Sequence, residues 1–163
     1  MARNSLLGVL AGVVAGLVFG MMMQMMIAPA PDGGQIPMMR MVAMVVRSDS
    51  VPVGWLYHLF NSAVIGAIFG ALVGGRIHSY GTGAGWGAVY GAVWWILGGL
   101  ILMPVLLGMP PFASLIIVPM RPIALASLMG HVIYGLILGL GYVWLATRQA
   151  AAQSAGMLRG ARS

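Results

Sequence analysis

Two histidines, His58 and His131, are the residues of this 163-residue chain best suited to chemistry, because each stands in a long apolar run free of Asp, Glu, Lys and Arg. An ionisable group in hydrocarbon is costly and points to function. Two imidazoles at similar depth on neighbouring helices would supply two axial nitrogens for one haem iron, as in a haem b site, or for another metal. Arg47 and Arg121 each precede a histidine by about ten residues and would reach the acidic groups of such a cofactor, haem propionates among them. The structural alternative is a neutral imidazole hydrogen-bonded to a neighbouring helix. Each histidine lies on a ridge of small residues that suits it: Ser62, Gly66 and Gly70 follow His58, and Gly135 and Gly139 follow His131. A place in a proton or permeation path is the third reading.

Methionine gives a second chemical signal. Nine of the fifteen lie between Met21 and Met44, and Met22 and Met26 stand one helical turn apart, where thioethers would suit Cu(I). The competing reading is a flexible filler of irregular helix contacts. With no cysteine in the chain, thiolate metal sites and thiol catalysis are excluded. The two carboxylates, Asp32 and Asp49, fall in connecting segments, Asp32 within the turn-forming Pro31-Asp32-Gly33-Gly34. No nucleophile–base pair emerges, so the chain is not expected to be an enzyme. The run Gly81-Thr82-Gly83-Ala84-Gly85-Trp86-Gly87 lacks the strand and the Lys-Ser or Lys-Thr of a phosphate loop, and reads as a tight turn.

The elements that must position these groups follow from composition. Apolar residues make up 61% of the chain and charged residues 6%, which no soluble globule of this size matches. The apolar residues fall into four runs, about 6–27, 53–75, 84–107 and 123–146, each close to the length that spans a bilayer as a helix. Alternation of polar and apolar residues, needed by a membrane barrel, is absent. The first run and Ala28-Pro29-Ala30 have the look of a cleavable signal, but the apolar stretch is too long and its pattern returns later, so it reads as a permanent helix.

That return is an internal duplication. Displaced by 73 to 75 residues, Gly12, Gly16 and Pro29 fall on Gly87, Gly91 and Pro104, Gly34 and Pro37 on Gly108 and Pro111, Arg47 on Arg121, and His58 and Gly66 on His131 and Gly139. The units are about 6–75 and 84–146. Each has two spans, which makes the repeats parallel and relates them by an axis along the membrane normal. The expected fold is an all-α transmembrane four-helix bundle in one domain, with short interfacial or re-entrant segments on the outer side, 36–46 and 112–120. Gly8, Gly12, Gly16 and Gly20 recur every fourth residue, and Gly66, Gly70, Gly87, Gly91, Gly135 and Gly139 supply matching notches for close helix packing.

Arg3, Arg76, Arg148, Arg159 and Arg162 lie on one side of the spans and Arg40, Arg47 and Arg121 on the other. The richer side should face the cytoplasm, placing both termini inside, with 148–163 as a basic tail near anionic headgroups. The net charge of +6 is scattered rather than stacked on one face, so the partner is the lipid bilayer and not nucleic acid.

Gly108-Met109-Pro110-Pro111 and Gly130-His131-Val132-Ile133-Tyr134-Gly135 resemble an uncharacterised family of small bacterial four-helix membrane proteins, a domain of unknown function. The resemblance implies an inner-membrane bundle and carries no activity, ligand or site residues. The leading reading is an accessory or scaffold protein of the bacterial inner membrane, with no cofactor, packing against itself or a membrane partner. The alternative is a bis-histidine haem or metal carrier of electrons. An oligomeric transporter or channel is a third class, which the scarcity of polar residues inside the spans argues against.

Overall fold

Apolar runs without charges satisfy their backbone internally, and in the computed structural model, which describes residues 2–29 and 34–160, they are helices. The first is α1 (Ala2–Gln24). A short antiparallel ribbon follows, β1 (Ile27–Pro29) and β2 (Gln35–Pro37), with Ile27 opposite Pro37 and Pro29 opposite Gln35. Next come α2 (Met38–Met44) and α3 (Val51–Leu72), then α4 (Tyr80–Trp94), which runs through a π-helical stretch, Trp95–Leu102, into α5 (Met103–Leu106). The short α6 (Ala113–Ile116) leads to α7 (Arg121–Gly160), the last element among the described residues. Among the described residues four stretches are long and apolar enough to cross a membrane: Ala2–Gln24, Val51–Leu72, Tyr80–Leu106 and Val118–Leu158.

The chain departs from the expected outline in four places. The glycine run 81–87 is not a turn but the opening of α4. Ser79 caps it, accepting from the Thr82 N–H at 3.2 Å while the Thr82 hydroxyl oxygen accepts from the Ser79 N–H at 3.1 Å. This capping box starts the helix ahead of the glycines, and at Gly83 and Gly87 the poor helix propensity is offset by close packing. Second, α7 does not stop near Ala146 but continues to Gly160, because the Ala- and Gln-rich tail forms helix well although it is no longer apolar. Third, β1 and β2 take the place of the end of the first run and the start of the outer segment. Fourth, the segment 112–120 is only one turn of α6 and a 3-10 turn, entered through Phe112 in the left-handed region at φ 62°. The turn expected at Pro31-Asp32-Gly33 and the arginine Arg162 lie outside the described residues.

The buried face of α1 is mostly small: Gly8, Ala11, Gly12, Ala15, Gly16 and Gly20 are buried, with Leu7, Phe19 and Met23 among them, whereas Leu6, Leu10, Val14, Leu17 and Met21 are exposed. Large side chains on the outside suit contact with lipid, and small ones inside let backbones approach. The closest helix contacts are α1 with α3 and α4 with α7. A Cβ built on Gly8 would lie on the Gly66 carbonyl, and one on Gly83 would press on the Gly139 carbonyl. Likewise Gly12 meets the Ser62 carbonyl and Gly87 meets the Gly135 carbonyl.

Between the pairs the packing is unequal. α1 lies along α7, where Phe19 fills the notch at Gly130 and Ala11 meets Gly141. A strict two-fold arrangement would bring α3 and α4 together in the same way, yet they hardly approach one another. Bulky side chains stand in that seam: the Tyr90 ring meets Phe69 edge-on at 5.1 Å, and its hydroxyl donates to the Ile65 carbonyl at 2.7 Å.

Candidate functional site

His58 is carried by α3 and His131 by α7, and both imidazoles meet the Phe19 ring of α1 edge-on, with centroids 5.6 and 4.8 Å away. The fold therefore sets both histidines against one ring. Their ring nitrogens, however, are engaged differently. Nε2 of His58 lies 2.9 Å from the Gly16 carbonyl oxygen, and because a carbonyl only accepts, that nitrogen carries the proton. His131 holds its proton on Nδ1, which donates to the Ser127 carbonyl of its own helix at 2.7 Å. This leaves the Nε2 lone pair of His131 without a hydrogen-bond partner among the described residues, while Nε2 of His58 is occupied by α1.

The arginines do not join them. Arg47 sits past α2 in the left-handed region at φ 60° and is exposed, and Arg121 is exposed and donates from Nε to the Leu115 carbonyl at 2.8 Å. Neither lines the cavity beside the histidines. The methionine pair also separates, since α1 ends at Gln24 and Met26 lies beyond it, accepting at its carbonyl from the Met38 N–H at 2.9 Å. Met22 and Met26 thus do not share a helix face, because the ribbon begins where the helix was expected to continue. Among the described residues no group of three His, Cys, Asp or Glu side chains is placed to hold a metal.

A cavity of about 360 Å³ opens next to the histidines, in the space left between α3 and the π-helical stretch. His58, Asn61 and Ser62 face it from α3, Ser127, His131 and Tyr134 from α7, and Gly98 and Gly99 from the π stretch. Its rim includes Val64, Leu102 and Leu106, all exposed, so it opens on the apolar flank of the molecule.

The sequence alone gives several residues that shape this site no part in it. Tyr134 donates to the Ser62 carbonyl at 2.9 Å, and Trp95 donates from Nε1 to the Ala124 carbonyl at 3.1 Å. Trp95 stands 75 residues after Gly20, where α1 admits the Trp55 ring of α3, and at Trp95 the helix widens into its π stretch. A bulky ring at a glycine position was the available signal. Asn61 and Ser114 carried only a weaker one, single polar residues in apolar surroundings.

No protein-family model, curated protein or solved structure matches this chain.

Proposed function

We propose that the chain is a multi-pass accessory or scaffold protein of a bacterial inner membrane, with both termini in the cytoplasm and no reaction of its own. Its four crossing helices form a bundle of two duplicated, parallel pairs. The duplication is supported by the helix contacts, for Gly8–Gly66, Gly12–Ser62 and Gly16–His58 become Gly83–Gly139, Gly87–Gly135 and Gly91–His131 under the same displacement of 75 and 73 residues. The membrane reading accords with the resemblance to small bacterial four-helix proteins.

The observation that carries the scaffold reading is the use made of polar groups within the helices. His58 bonds the Gly16 carbonyl, Tyr90 that of Ile65, Tyr134 that of Ser62 and Trp95 that of Ala124, each tying one helix to another. Polar atoms engaged in this way hold a bundle together. The partner surface is the exposed apolar face of α3, where Leu56 and Phe60 are 70% and 65% exposed. Photo-crosslinkers placed at Leu56 and Phe60 in native membranes should yield one discrete protein adduct, either a second copy or a partner. Diffuse lipid adducts alone at both positions would overturn the reading.

Haem b between His58 and His131 is the competing proposal, favoured by the free Nε2 of His131. It requires His58 to release Gly16 and Phe19 to move aside. Visible spectra of the purified protein before and after reduction distinguish the two, since a Soret band lost in both His58→Ala and His131→Ala would establish ligation.

A further inference from the structure

The cavity between α3 and the π-helical stretch holds polar atoms that the scaffold does not use. Ser114 lines it, is only 8% exposed, and its Oγ has no hydrogen-bond partner among the described residues. The Asn61 amide, in the middle of α3, lines it too and makes no hydrogen bond to another described residue. The third group is the lone pair on Nε2 of His131. A buried polar atom left unmet, as Ser114 Oγ is, carries a penalty, and with Asn61 and His131 on the same hollow it points to an occupant that meets them.

The lining restricts what that occupant is. It contains no Asp, Glu, Lys or Arg, so a charged headgroup would be buried without a counter-charge. Asn61 offers donors and an acceptor, Ser114 a hydroxyl, and His131 an acceptor, so the ligand carries neutral oxygens able to accept and to donate. Rings of Phe19, Tyr57, Trp94 and Trp95 border the space, and the backbone is bare at Gly98 and Gly99, which suits a flat ring. Methionines such as Met38, Met41 and Met103 add adaptable, polarisable walls. The volume lies at the lower end of the ~300–1,000 Å³ usual for ligand pockets, and the apolar rim lets a hydrocarbon tail remain in the bilayer.

We infer that this cavity binds the ring of a neutral, membrane-soluble quinone or quinol, its oxygens met by Asn61, Ser114 and His131 and its tail leaving past Val64 and Leu106. An acyl chain would fill the hollow but leave these polar atoms unmet. This site goes beyond the scaffold reading and does not depend on it.

The test is titration of the full-length protein, in phosphatidylcholine nanodiscs, with a decyl-substituted para-benzoquinone, read by quenching of tryptophan emission. Saturable quenching is expected. Asn61→Leu should weaken it about tenfold, the value of one buried hydrogen bond, and Ser114→Ala by a smaller factor, whereas Leu56→Ala on the outer face should leave it unchanged. Ser114→Ala removes a hydroxyl that has no partner, so it folds as the parent does and keeps the test decisive if Asn61→Leu does not. Quenching that never saturates, that is equal in all folded variants, or that an excess of dioleoylglycerol abolishes as readily as excess quinone does, would overturn the assignment.

Discussion

The His58 imidazole donates its Nε2 proton to the Gly16 carbonyl across 2.9 Å, so the ionisable group that most suggested cofactor chemistry ties α3 to α1. The bond exists because Gly16 has no side chain to hold the helices apart. Replacing His58 by Leu should lower stability by about 0.6–1.7 kcal/mol, the range of hydrogen bonds between membrane helices. His58→Gln, which keeps a donor on a side chain of similar reach, should recover part of that. Reversible unfolding in mixed detergent micelles measures both, and equal losses for Leu and Gln would show that ring packing on Phe19, not the hydrogen bond, is what matters.

Gly87 and Gly85 lie two residues apart on α4 in opposite situations. A methyl at Gly87 would meet the Gly135 carbonyl, which no rotamer change can move, whereas a methyl at Gly85 meets nothing within 4 Å. Gly87→Ala should therefore cost about 1–3 kcal/mol, as overpacking does. Gly85→Ala should be neutral or stabilising by up to about 1 kcal/mol, through helix propensity. Thermal unfolding of the pair of variants side by side gives the comparison. The same contrast is expected between Gly66→Ala, which presses on Gly8, and Gly75→Ala, which meets nothing.

How much of this was legible beforehand depends on the kind of signal. Helix identity and the glycine seams could be read because charge-free runs and four-residue spacing act locally, so Gly8, Gly12 and Gly16 announce a packed face without knowledge of its partner. The histidine site was legible in part: His58 and His131 stand out as ionisable groups in apolar runs and both meet Phe19, but which ring nitrogen is occupied depends on Gly16 and Ser127. The cavity was not legible. It arises because α1 packs on α7 while α3 stays away from α4, where Tyr90 and Trp95 stand at positions that carry Ala15 and Gly20 on α1. The start of α4 was misread because glycines weigh toward a turn, and the Ser79–Thr82 capping box that overrides them is a short polar signal.

Tyr134 joins α7 to α3 through the Ser62 carbonyl while its ring is 4% exposed. Tyr134→Phe keeps the packing and deletes the donor, so a loss of about 0.5–1.5 kcal/mol is expected. Tyr80→Phe at the exposed start of α4 should change stability little. Because Tyr134 also borders the cavity, its variant should unfold more easily without losing saturable quinone quenching, since the hydroxyl is already bonded to protein. A variant of unchanged stability would show that the Ser62 contact contributes nothing.

The absence of cysteine makes the proposed orientation directly testable, because any introduced thiol is unique. Ser79 caps α4 and Ser154 lies in the exposed final turns of α7, both on the arginine-rich side, whereas Ser48 follows α2 on the opposite side. Arginine retention in the cytoplasm orients such a chain, so Ser48→Cys should react with a membrane-impermeant maleimide in intact cells. Ser79→Cys and Ser154→Cys should react only after the membrane is opened. Labelling of Ser154→Cys but not Ser79→Cys from outside would mean that α4 and α7 do not cross as a pair, and both the parallel duplication and the shared cytoplasmic face of the termini would then fail together.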